Sequence, residues 1–176
     1  MEQWGIITYT ESYLAAGANG SASAAGVIAH ELAHQNFGNL VTSEWWDALQ
    51  EGMATFWPYT AVPAVAPQLD YAASWRAATA GAMAEDAFAA SQALTVATPV
   101  ASSGAAYAVF GAITYDKGAA VIAGLQRRVD GAAGAGAFVR ALAAYLAAHA
   151  YATARPAWPP ACQACTPTPA WRNPWP

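Results

Sequence analysis

From Ser21 or Ser23 the run SAAGVIAHELAHQNF carries apolar residues at helical spacing, opens on a capping-type serine and stops at Gly38-Asn39. A helix is therefore the first structural demand this chain makes. Inside it lies His30-Glu31-Leu32-Ala33-His34, an HExxH motif. At about 3.6 residues per turn, positions i and i+4 share a face, so both imidazoles can reach one ion, while Glu31 points roughly 100° away, beside an open coordination position. The spacing builds half a zinc site and a base.

A catalytic zinc takes three protein ligands and leaves one position for water, so a third ligand is needed. The only other histidine, His149, falls on the apolar stripe of a later helix near its C-terminus, where packing and the helix dipole explain it. A carboxylate from the next helix is the natural alternative, and Glu44, Asp47 and Glu51 are the candidates. Glu51 is preferred because Glu51-Gly52 would open a helical turn after the Trp45-Trp46 corner. Glu44 is second choice.

The remainder predicts a mainly α chain with a short β segment. Trp4 to Thr10 (WGIITYT) reads as a strand. Helices are expected from about Asp47 to Tyr59, bent or ended near Pro58, then over Tyr71–Ala90, Thr114–Val129 and the run AGAFVRALAAYLAAHAY. In the last, Phe138, Leu142, Tyr145 and His149 form one stripe, with Arg140 opposite. Pro63 and Pro67 mark a connection, and Thr95–Gly104 reads as a loop. From Arg155 the prolines are too many for helix or sheet, so 1–154 reads as one domain and 155–176 as an extended or disordered tail.

Alanine supplies much of the 56% apolar share and forms helix well while burying little area, so composition alone does not signal a membrane span. Some apolar surface is expected to await a missing partner. A net charge of −4, with no basic cluster beyond Arg127-Arg128, argues against nucleic acid. No signal peptide is readable at Met1-Glu2-Gln3-Trp4, and the compartment is left open. Cys162 and Cys165 form a lone CxxC with neither a second ligand pair nor a βαβ context.

A bare HExxH is a weak signal, but here it sits within VIAHELAHQNFGNLVTSEWW, which resembles the M1 family of zinc aminopeptidases almost position by position. MEQWGIITYTE resembles the end of that family's GAMEN motif and the strand after it. DAFAAS followed by Leu94 resembles its central helix, FGAITYDKGAAVI the segment with its catalytic tyrosine, and FVRALAAYLAAHAYATA the helix that follows. The likeness runs from about Met1 to Ala154.

The resemblance implies a partial thermolysin-like zinc peptidase catalytic domain in which His30, His34 and Glu51 bind one Zn2+. Glu31 would take a proton from the water at the metal and pass it to the leaving amine. Tyr115 would donate its phenol to the developing oxyanion, and Glu2 would recognise the free α-amino group of a peptide substrate. The interval from His34 to Glu51 is slightly shorter than the family's, and Gln3 stands where its motif has asparagine. Two rival readings accompany the aminopeptidase: a zinc-binding but inactive fragment that needs flanking domains, and a non-enzymatic helical interaction module.

Overall fold

The computed structural model describes residues 1–17, 21–43, 49–94 and 102–153. Glu44 and Asp47, most of the expected 95–104 loop, Cys162, Cys165 and the proline-rich tail fall outside them. The described chain is mostly helical. Helices α1 (Glu11–Gly17), α2 (Ala22–His34), α3 (Leu49–Phe56), α4 (Pro58–Val65), α5 (Tyr71–Asp86), α6 (Ser103–Val109), α7 (Gly118–Ala133) and α8 (Ala137–His149) follow in order. A 3-10 turn at Pro67–Leu69 precedes α5, and a π-helical turn at Ile113–Lys117 runs into α7. The strands β1 (Val41–Thr42) and β2 (Ala152–Thr153) pair in parallel, Val41 with Ala152 and Thr42 with Thr153.

Helix α2 starts where its serine allows: the Ser21 hydroxyl accepts from the Ala24 amide at 3.4 Å and satisfies one of the free N–H groups of the first turn. It ends at His34, and the chain then turns so that the amides of Asn36 and Phe37 both reach the Ala33 carbonyl. Helix α3 stops at Phe56 and α4 restarts at Pro58, as the proline requires.

The core forms where α3, α7 and α8 meet. Phe37, Met53, Phe56, Ala119, Ile122, Ala123, Phe138 and Leu142 make one buried cluster. Burying each of the larger side chains contributes about 1.5–3 kcal/mol. Close approach of α3 to α7 depends on Gly52, since a Cβ there would lie 3.0 Å from the Gly118 carbonyl carbon. The expected stripe of α8 faces inward at Phe138, Leu142 and Tyr145, and Arg140 is exposed.

Three expectations are corrected. Trp4–Thr10 is not a strand: Gly5 takes φ +77°, and the amides of Ile6 and Thr8 fold back onto the carbonyls of Gln3 and Met1. A β-branched run makes a strand only beside a partner ladder, and the short β segment forms instead at β1 and β2. Ser103 and Gly104 are not loop, because the Ser102 hydroxyl accepts from the Ala105 amide at 3.2 Å and caps α6. Pro63 lies inside α4, where the buried Pro58 and Val62 hold the helix across the hydrogen bond that Pro63 forfeits. Among the described residues no single helix is long and apolar enough to cross a membrane.

Candidate metal centre

Helix α2 presents His30 and His34 one turn apart, and the first turn of α3 presents Glu51 to them. The two Nε2 atoms are 3.0 Å apart, and each lies 3.3 Å from Glu51 Oε2. Among the described residues this is the one group whose ligand atoms could share an ion. Three donors placed about 2.0–2.1 Å from a tetrahedral zinc would be separated by roughly 3.3 Å. The observed triangle has that size, and two imidazoles with a carboxylate are a donor set that zinc accepts.

The ring protons are placed by neighbours. His34 Nδ1 donates to the Phe37 carbonyl at 2.9 Å, and Phe37 is held there by the turn that ends α2. His30 Nδ1 lies 3.3 Å from the Thr55 hydroxyl, one turn beyond Glu51 on α3. With Nδ1 protonated, both Nε2 lone pairs and the carboxylate face one point. Three acceptors that close repel unless a cation lies among them.

The charges answer the same demand. Burial would raise the Glu51 carboxyl, but hydrogen bonds from both histidines and their charge more than offset it and hold the group at about 2. Burial pulls the His34 imidazole down, yet Glu51 and the Phe37 carbonyl prevail and raise it. A proton held between these groups occupies the place a metal would take.

Tyr115 leaves the π-helical turn with its ring stacked on His30, centroids 5.8 Å apart. Burial pushes its phenol above the ordinary value, and the Glu51 charge adds to this, so the hydroxyl stays protonated and able to donate. Glu2 is tied to the end of α2, where the Gln35 and Asn39 side-chain amides donate to its carbonyl. The Met1 nitrogen lies 3.1 Å from Glu31 Oε2 and 3.8 Å from Glu2 Oε2, so the two carboxylates face a common point. His149 packs on Tyr145, ring centroids 4.8 Å apart, and does not join the cluster.

Several residues at the site carried no role in the sequence reading. Lys117 pairs with Asp86 at 2.6 Å, and the Ser91 hydroxyl donates to the same Asp86 oxygen at 3.1 Å. The Gln92 amide donates to the Val109 carbonyl and to the Thr114 hydroxyl. Residues on either side of Tyr115 are thus held by the end of α5 and the segment after it, which fixes the π-helical turn; such turns often mark functional sites. The DAFAAS and TYDKG stretches were in view, but only folding brings them together.

The peptidase family M1 domain matches residues 1–157. The chain is 40% identical over 153 residues to aminopeptidase M1-D of Oryza sativa subsp. japonica, covering 83% of this chain and 17% of that protein. It is 37% identical over 153 residues to human endoplasmic reticulum aminopeptidase 1, covering 83% of this chain and 16% of the relative. With aminopeptidase N of Lactococcus lactis subsp. lactis it shares 51% identity over 73 residues, 38% of this chain and 9% of the relative. The chain thus spans about one-sixth of the length of the two relatives that it matches over 153 residues. A domain match over most of the chain and these identities establish that the chain belongs to peptidase family M1.

Proposed function

We propose that the chain is the catalytic part of a zinc-dependent aminopeptidase with a thermolysin-like fold. The observation that carries this reading is the triangle of His30 Nε2, His34 Nε2 and Glu51 Oε2, edges 3.0 to 3.3 Å, with Glu31 and Tyr115 beside it. Two imidazoles and a carboxylate would hold one Zn2+. When bound, that ion acidifies water and polarises a carbonyl.

The protein's own groups do the rest. Glu31, on the same helix as both histidines, takes the proton of the attacking water and returns it to the leaving amine. Tyr115 donates its phenolic hydrogen to the oxygen on which negative charge develops. Glu2 faces the same point as Glu31 and receives the substrate's α-ammonium, which confines cleavage to the first peptide bond. Peptides with a free N-terminus are the substrates this arrangement serves.

The test is hydrolysis of alanyl and leucyl p-nitroanilides by the zinc-loaded protein. Cleavage should be lost in Glu31→Gln with zinc retained, and N-acetylated substrates should be resistant. Equal cleavage of acetylated and free substrates would remove the amine-binding role of Glu2. Because the chain spans about one-sixth of the length of the relatives that it matches over 153 residues, a second reading is zinc binding without activity. Stoichiometric zinc with no turnover would decide for it.

A further inference from the structure

A cavity of about 520 Å³ opens from the metal centre and is walled on that side by His30, Glu31 and Tyr115. Its far side is aromatic: Tyr59 stacks on Trp75 at 4.0 Å with planes 12° apart, and Tyr71 lies against Tyr59 at 5.7 Å. Besides Glu31, one carboxylate lines the cavity, Asp116, close enough for its charge to push up the Tyr59 and Tyr71 phenols. Half-buried, it makes no hydrogen bond or ion pair with another described residue, while the adjacent Lys117 is engaged by Asp86. The indole N–H of Trp75 is likewise buried without a partner. A carboxylate sheltered from water needs a cation or a donor to offset its desolvation.

The cavity also has a direction. It lies along the N-terminal part of α2, at Ser23, Gly26 and Val27, whereas Glu2 is fastened to Gln35 and Asn39 beyond the helix's other end. Glu31 sits between. At a rise of about 1.5 Å per residue these ends are well over 10 Å apart. A peptide whose amine meets Glu2 and whose first peptide bond lies at Glu31 therefore runs its second residue toward the cavity.

We propose that this cavity is a specificity pocket for lysine or arginine at the second residue of the substrate, with Asp116 as the group that pairs with the cation. The aromatic walls would cover the aliphatic stem and face the charge with their π systems, a combination suited to ammonium and guanidinium groups. The volume falls within the range of small-ligand pockets and has room for a long side chain. This inference rests on the aminopeptidase reading for the direction of the peptide, and its test separates the two.

Binding of Ala-Lys-Ala, Ala-Leu-Ala, Ala-Glu-Ala and Lys-Ala-Ala to the zinc-loaded Glu31→Gln protein would be measured by calorimetry, without turnover. Ala-Lys-Ala should bind on the order of tenfold tighter than Ala-Leu-Ala, as a charge-assisted contact implies. It should also bind tighter than Lys-Ala-Ala. Asp116→Asn should bring the lysine-to-leucine ratio close to one, and Asp116→Lys should reverse it in favour of Ala-Glu-Ala. Equal binding of the lysine and leucine peptides to Glu31→Gln with Asp116 intact, or a preference that survives Asp116→Asn, overturns the pocket. Asp116-dependent selectivity in binding with no hydrolysis by the wild type leaves the pocket standing and removes the aminopeptidase reading instead.

Discussion

Glu51 Oε2 lies 3.3 Å from His34 Nε2 although the two side chains come from different helices, α3 and α2. In the proposed zinc site the Glu51 carboxylate would therefore supply the third ligand that α2 alone lacks. Glu51→Gln should weaken zinc binding by more than the roughly 10–100-fold that loss of an outer partner costs. Thr55→Val, which removes only the partner of His30 Nδ1, should fall within that range. Competition with a chromophoric chelator reads both, and equal affinities for Glu51→Gln and wild type would remove Glu51 from the site.

Tyr115→Phe keeps the ring that stacks on His30 and deletes the hydrogen that would meet the oxyanion. Turnover should fall by about 10²–10³ while zinc affinity stays within a factor of about two. A matching loss of zinc would instead make Tyr115 a packing residue of the metal centre.

Gly52→Ala sets two effects against each other. Alanine gains about 1 kcal/mol of helix propensity, but the new Cβ meets the backbone of Gly118 at 3.0 Å, which cannot rotate away. Overpacking of this kind costs about 1–3 kcal/mol, so the variant should be less stable in urea. Its neighbour Glu51 should move with the helix and lower zinc affinity. Gly124→Ala on α7, where a Cβ meets nothing within 4 Å, should be neutral or stabilising by up to about 1 kcal/mol.

Burial raises the Asp116 carboxyl above its ordinary value of 3.8. Between the ordinary and the raised value the folded chain binds the proton that the unfolded chain has released, so stability falls as pH rises through that window. Asp116→Asn has no such proton and should show a flatter profile of thermal midpoint against pH. Parallel profiles for wild type and variant would mean that Asp116 is solvated like any surface carboxylate.

These residues differ in how far the sequence foretold them. His30, Glu31 and His34 depend only on local helical geometry, so a capped run with the right spacing was enough. Glu51 was one of three carboxylates by spacing, because docking of α3 is a tertiary event. It was preferred because Glu51-Gly52 would open a helical turn after the Trp45-Trp46 corner, the family resemblance implied the same residue, and the shortened interval did not prevent the carboxylate from reaching both histidines. Thr55 and the Asp86–Lys117 pair carry no local pattern and gain meaning only from a neighbour distant in sequence, whereas the Phe37 carbonyl meets His34 three residues away through the turn that ends α2.

The strand expected at Trp4–Thr10 shows the converse. Its β-branched and aromatic residues fit a pleated surface, yet no described strand lies beside them and Gly5 turns the chain back. The strands that do form are two residues each and pair across more than half the chain, too short for any alternation to announce them. The π-helical turn at Ile113–Lys117 was hidden in the same way, since its five residues read as the start of an ordinary helix.

X-ray absorption on the zinc-loaded protein tests the metal centre most directly. The account predicts one zinc per chain, with nitrogen and oxygen neighbours at about 2.0–2.1 Å, imidazole scattering from two rings, and loss of the ion in His34→Ala. A sulfur shell at about 2.3 Å, which only cysteine ligation would produce, or zinc that survives loss of His34, would contradict it.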